Sequence, residues 1–232
     1  MKKKFLFLMA LLAASLLVLA EMRVYVYKKD GTKVSYVAST VDSIGFVDVN
    51  DIADGHEWVD LGLPSGLKWA TCNVGADSPE DYGDYFAWGE TTTKSDYTSS
   101  NYNYSSNPTT LPLDRDAAYT NWGTSWRMPT KAEIEELCNT SYTTWTWTTQ
   151  NGVSGCRVTS KVNGNSIFLP AAGERYTTYL DKGGASGRYC SSSFYQVGYD
   201  HVYTLCFGAV GNAWACGVYR IMGYPVRPVL RE

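Results

Sequence analysis

One stretch of this chain carries a full helix-start signature, and almost everything around it reads as short strands and turns. Thr130 is followed three residues later by Glu133, a capping box in which hydroxyl and carboxylate satisfy each other's backbone N–H groups. Pro129 precedes it, and Ala132, Ile134, Leu137 and Cys138 supply the buried stripe. A second, shorter helix is expected at 115–121. Elsewhere the apolar residues alternate over a few positions and then meet Gly, Asn, Asp or Pro. With 21 Gly, 18 Tyr and 8 Trp in 232 residues, the composition suits a sheet-rich α+β fold rather than a bundle. It is too apolar for a disordered chain.

The first residues read as an export signal. Lys2, Lys3 and Lys4 precede an apolar run from Phe5 to Leu19, and Val18-Leu19-Ala20 offers small residues for cleavage before Glu21. The alternative is an uncleaved anchor, but the run is short for a span of about 20 residues. No cysteine stands near the cleavage point to carry a lipid. Removal of residues 1–20 takes three lysines and moves the formal charge from −3 to −6. That balance argues against nucleic acid as a partner.

The remaining chain divides into a small β unit (21–49), a polar linker (50–56) and a main domain (57–232). In the first, Arg23–Tyr27 and Val34–Val37 alternate about a turn at Lys29-Asp30-Gly31, with a third strand at Val41–Val47. Such a hairpin is marginal alone. It is expected to pack on the main domain or to add to a partner's sheet edge through residues 22–47. In the main domain, strands are expected at 67–74, 85–90, 144–149, 155–161 and 166–170, with turns at Asn151-Gly152 and Asn163-Gly164. Thr91–Asp114 reads as a long loop.

His56 lies in the expected linker and His201 near the C-terminus, and no nucleophile elbow accompanies either. Two histidines and no Cys-x-x-Cys leave no zinc pattern. Asp77, Glu80, Asp81 and Asp84 form an acidic patch, open to calcium through oxygens or to solvent alone. Trp145 and Trp147 share one face of a strand, as a stacking platform or as core. No motif points to a cofactor. Six cysteines in an exported chain invite disulfides. The best single pair is Cys138 with Cys156, and buried free thiols are the alternative.

The order of motifs resembles a known family. Trp58-Val59-Asp60-Leu61-Gly62-Leu63-Pro64-Ser65-Gly66-Leu67-Lys68-Trp69-Ala70 is followed by Tyr82–Glu90, Trp122-Gly123, Trp126-Arg127-Met128-Pro129-Thr130, Phe168–Gly173 and Val226-Arg227-Pro228-Val229. Over 57–230 this is similar to the Fibrobacter succinogenes major paralogous domain, common in secreted proteins of the Bacteroidetes. The resemblance implies a C-type-lectin-like fold, in the branch shared with formylglycine-generating enzymes, with short twisted sheets, about two helices and adjacent termini. It implies that the motif residues hold the fold. Trp126 and Met128 would pack under the helix, Arg127 would need a carboxylate such as Asp84 or Glu90, and Pro170 and Gly173 would mark a corner.

Residues 183–230 contain no Lys and no Glu, where about four are expected from the average over the whole chain. Tyr, Ser and Gly dominate instead, a composition of adaptable binding surfaces. The fold is also used by variable proteins of diversity-generating retroelements, whose Asn-type codons are mutated at adenines. Tyr195, Tyr199, Asp200, His201, Tyr203, Cys206, Cys216 and Tyr219 are permitted products of that process. Gln196, Trp214 and Met222 are not and would be template-fixed. A buried β region would also lack Lys and Glu. The expected function is ligand binding without catalysis, at the cell exterior, to a protein or glycan. The expected face comprises Tyr189, Tyr195, Tyr199, Asp200, His201, Tyr203, Trp214 and Tyr219. The alternatives are a surface-fibre subunit and, more remotely, an oxidase using Cys206 and Cys216.

Overall fold

The computed structural model of the chain describes residues 23–27, 33–38, 51–196, 200–210 and 212–231. The expected signal segment and third N-terminal strand lie outside them. The chain divides into two units between Val47 and Asp48. In the first, β1 (Arg23–Tyr27) pairs antiparallel with β2 (Lys33–Val37), Arg23 opposite Val37 and Tyr27 opposite Lys33.

The second unit is mixed and sheet-rich, with two α-helices and four small antiparallel sheets among the described residues. It begins earlier than the sequence suggests. Ile52–Ala53 (β3) and His56–Asp60 (β4) form a hairpin across Asp54-Gly55, both at positive φ. The Asp-Gly turn residues in this stretch made it read as a linker, yet Asp-Gly is a strong hairpin signal. Lys68–Ala70 (β5) joins β4. The helix α1 (Ala117–Trp122) follows a long irregular segment, then β6 (Trp126–Arg127) and α2 (Lys131–Cys138). Thr143–Gln150 (β7), Val153–Ser160 (β8) and Ser166–Pro170 (β9) make one meander; Glu174–Tyr176 (β10) and Tyr179–Asp181 (β11) make a hairpin. Ser186–Phe194 (β12), His201–Gly208 (β13) and Trp214–Tyr219 (β14) form the C-terminal sheet. The last strand, β15 (Val229–Leu230), returns to lie between β5 and β6, closing the unit on its own first strands.

The helix signature is realised in full. Thr130 Oγ1 accepts from the Glu133 N–H, and Glu133 Oε2 accepts from the Thr130 N–H at 2.7 Å. Ile134 and Leu137 are fully buried, whereas Ala132 is exposed and Cys138 half-buried. Arg127 finds its carboxylate in Glu133, at 2.5 and 2.8 Å, and not in Asp84 or Glu90. Burial opposes ionisation of Glu133, but the Arg127 fork and the Thr130 N–H hold its carboxyl below the ordinary value.

Two cores lie on opposite faces of the C-terminal sheet. One gathers Trp88, Trp126, Met128, Phe194, Tyr224 and Val226 against Cys190, Val202 and Val218. The other gathers Trp69, Ile134, Leu137, Val158 and Leu169 against Tyr189, Leu205 and Phe207. Trp126 and Met128 therefore pack in the core opposite the one that receives Ile134 and Leu137. Strands β12 and β13 are buried on both faces, and a strand so placed excludes Lys and Glu. Burial thus accounts for much of the compositional gap that sequence reading assigned to binding loops. Ser191 and Ser192 are likewise buried, Ser191 Oγ donating to the Tyr203 carbonyl at 2.7 Å.

Residues 85–90 do not form a strand. Gly83 before them and Gly89 within them take positive φ, and a single bridge joins Phe86 to Tyr224. The long segment 91–114 is pinned rather than loose. Tyr97 Oη donates to the Tyr85 carbonyl at 2.5 Å, Tyr102 Oη to the Trp88 carbonyl at 2.7 Å, and Thr110 bridges Ser193. Gly173 does mark a corner: at φ +60° a Cβ would collide with the Asp181 carbonyl.

Candidate binding faces of the C-terminal sheet

The register of the C-terminal sheet decides which of the expected residues can act together. His201 stands opposite Tyr219, Tyr203 opposite Gly217, and Cys206 between Arg188 and Trp214. Directly paired residues share a face, and the face alternates along each strand. Tyr203, His201 and Tyr219 therefore point to one side, and Trp214 to the other. The expected single face is two faces.

The first is an aromatic patch beside the core that holds Leu205 and Phe207. His201 and Tyr219 rings lie 4.5 Å apart, and Tyr195 meets Tyr203 edge-on at 4.8 Å and His201 at 6.2 Å. Tyr195 lies over Gly217, where a Cβ would come within 3.1 Å of the ring, so glycine makes the room. Lys131, in the first turn of α2, places its ammonium 5.0 Å from the Tyr203 ring centre. Tyr219 is half exposed; Tyr195, His201 and Tyr203 are partly so. Asp200 is exposed in the turn before β13, its carbonyl accepting from the Arg220 N–H at 2.8 Å. Tyr199 lies outside the described residues.

The patch rests on a rigid base. Just beyond β14, Arg220 is buried and its Nε donates to Tyr102 Oη at 2.7 Å. Its Nη2 donates to the Tyr104 and Ser106 carbonyls, at 2.7 and 2.9 Å, and its Nη1 to Asn107 Oδ1. The guanidinium also lies about 5 Å from the Trp88 and Tyr102 rings. On the α2 side, Ser193 Oγ accepts from the Lys131 N–H, and the Ser192 N–H donates to the Pro129 carbonyl.

Tyr189 leaves the expected face altogether. It is 1% exposed, stacked near Phe207, and donates its hydroxyl to the Pro170 carbonyl at 2.6 Å. It pairs with Leu205 and so shares the face of His201 and Tyr203, but lies further along the sheet, where the second core covers it.

Cysteine pairing also differs from the sequence expectation. Cys138 and Cys156 are free thiols, and burial pushes them up to about 12 and about 11. The disulfide joins Cys206 of β13 to Cys216 of β14, whose Cα atoms are 6.1 Å apart on the Trp214 face. Three-dimensional register brings these two together; linear flanking of a hairpin did not identify them.

His56 is in strand β4, not a linker, stacked on Trp122 at 3.6 Å and 4° between planes. Burial lowers its basicity despite the nearby Asp54 carboxylate. Trp145 and Trp147 are partly buried against the second core. In the acidic stretch, Glu80 accepts from Gln150 and Asn151, and Asp81 from the Ser78 N–H. Among the described residues, no group of three His, Cys, Asp or Glu side chains is placed to hold a metal. No helix among them is long and apolar enough to cross a membrane.

No family model matches this chain, and neither any curated protein nor any solved structure does.

Proposed function

We propose that the chain is an exported, non-enzymatic binding protein of the cell exterior, built on a C-type-lectin-like domain of the major paralogous type. The observation that carries this is the Tyr195–His201–Tyr203–Tyr219 patch: four aromatic or imidazole rings in mutual contact, partly exposed, on a sheet buried beneath them. Rings with few rotatable bonds on a rigid base lose little entropy on binding, the property of interface anchors. The mixed sheet-rich fold with two helices, closed by β15 on its own first strands, agrees with the proposed domain type.

The same patch agrees with retroelement diversification, since all four residues are permitted products. Sequencing the DNA beside this gene tests it. The expected result is an adenine-rich near-copy of codons 188–224 next to a reverse transcriptase gene. Its template adenines should fall at Tyr195, His201, Tyr203 and Tyr219 and spare Leu205, Val218 and Trp214. A locus without the near-copy rejects diversification. The N-terminal hairpin favours a second reading, a fibre subunit. Its two strands pair antiparallel over five positions, a unit that is marginal alone and would gain from pairing with a neighbouring chain's sheet.

A further inference from the structure

The Trp214 face of the C-terminal sheet contains a cleft of about 330 Å³, away from the aromatic patch. Trp214 forms one wall and is 52% exposed. Arg188 stands across from it, separated by Cys206, whose sulfur is tied to Cys216. Ser186 and Gly208 pair at the end of the cleft, and a Cβ on Gly208 would meet nothing closer than 3.7 Å, so the floor is open there. Lys182 comes in from the end of the β10–β11 hairpin.

The polar groups of this cleft are incompletely used. Arg188 Nη1 donates to Glu174 Oε2 at 2.8 Å, and among the described residues its Nε and Nη2 have no partner. Glu174 is buried and shared with Lys182, whose Nζ lies 3.8 Å from its other oxygen. Asp181, 3.6 Å from Lys182, is exposed and well solvated. Two cations thus converge on one buried carboxylate. Ser186 Oγ is buried without a hydrogen-bond partner among the described residues, and a buried hydroxyl normally has one.

We propose that this cleft binds a carboxylated pyranose ring: the sugar's C–H face stacks on Trp214, its carboxylate takes the free donors of Arg188 with Lys182, and a ring hydroxyl satisfies Ser186. An exposed indole matches a flat apolar face with polar edges. A planar guanidinium with two free N–H groups matches a carboxylate. Two cations already sharing a carboxylate suit one carboxylate more than a polyphosphate, and the chain is acidic overall. The proposal rests on the reading of this sheet as a binding element but uses its opposite face.

The test is calorimetric titration of the full chain with tri-galacturonate and, in parallel, with 3′-sialyllactose, since both sources offer the same carboxylated ring. Saturable binding of at least one is expected and names the source. The methyl ester of that sugar should bind at least tenfold more weakly. Trp214→Ala should weaken binding at least tenfold, as should Arg188→Lys, which keeps the contact to Glu174 but removes the fork. A His201→Ala/Tyr219→Ala variant should bind the sugar as the wild type does, which separates this site from the aromatic patch. No saturable binding of either sugar, equal binding of acid and ester, or indifference to Trp214→Ala would overturn the proposal.

Discussion

Replacement of Arg220 by methionine is expected to cost about 3–5 kcal/mol, because hydrogen bonds of a charged group are lost and buried acceptors are left bare. The methionine fills part of the space but donates nothing. The carbonyls of Tyr104 and Ser106, the Asn107 side chain and the Tyr102 hydroxyl all lose their donor. The ring contacts with Trp88 and Tyr102 lose their cation. At about 2–4 °C per kcal/mol for a chain of this size, the melting midpoint should fall by about 10 °C. The damage should also be local. Segment 102–107 is held to the end of β14 by this one side chain, so hydrogen exchange there should rise before the rest of the domain opens. A shift in midpoint below 2 °C, with unchanged exchange at 102–107, would contradict this role.

Asp116→Ala is expected to be comparably costly, by a different route. Asp116 is 2% exposed and caps α1, one oxygen accepting from Ala118 N–H at 2.9 Å and Tyr119 N–H at 3.1 Å. Its other oxygen accepts from the Met128 N–H at 2.8 Å, tying the helix to the segment that leads into α2. Alanine leaves three N–H groups without acceptors, at about 1–3 kcal/mol each where they stay buried. Asparagine should be milder. Its oxygen can keep the two helix donors, while its NH₂ faces the Met128 donor. Burial raises the Asp116 carboxyl despite these three bonds. The folded state therefore holds the proton more tightly than the unfolded chain. The contribution of this group is fullest below the unfolded value and is lost as pH rises through the folded one. Asp116→Asn should remove that slope from the stability profile. A profile identical to the wild type across the acid range would show that Asp116 does not titrate in this way.

Parts of the fold were legible where one local signal had no competitor. The Thr130–Glu133 box, the Asn151-Gly152 hairpin and the strand at 166–170 each appear where the sequence puts them. One cause of failure is that side-chain alternation does not reveal whether a strand has one buried face or two. Tyr189 and Tyr203 look alike in sequence, yet core packing takes the first and leaves the second partly exposed. Trp214 and Tyr219 lie five residues apart on one strand, an odd spacing that puts them on opposite faces; counting parity along β14 would have separated them. The Cys206–Cys216 bridge and the Arg127–Glu133 pair depend on register between segments. The Asp54-Gly55 hairpin was readable and was outweighed by the polar residues around it.

The central claim is that the aromatic patch is a recognition surface of the domain. It is tested by probing a printed array of deglycosylated receptor ectodomains and of glycans without carboxylated sugars with the labelled chain, beside a His201→Ala/Tyr203→Ala/Tyr219→Ala variant. These three side chains project from a sheet held by two cores, so the variant should keep a melting midpoint within a few degrees of the wild type. The account predicts discrete wild-type signals, at least tenfold weaker in the variant. Wild-type signals that survive the triple substitution would place recognition elsewhere on the domain and contradict it.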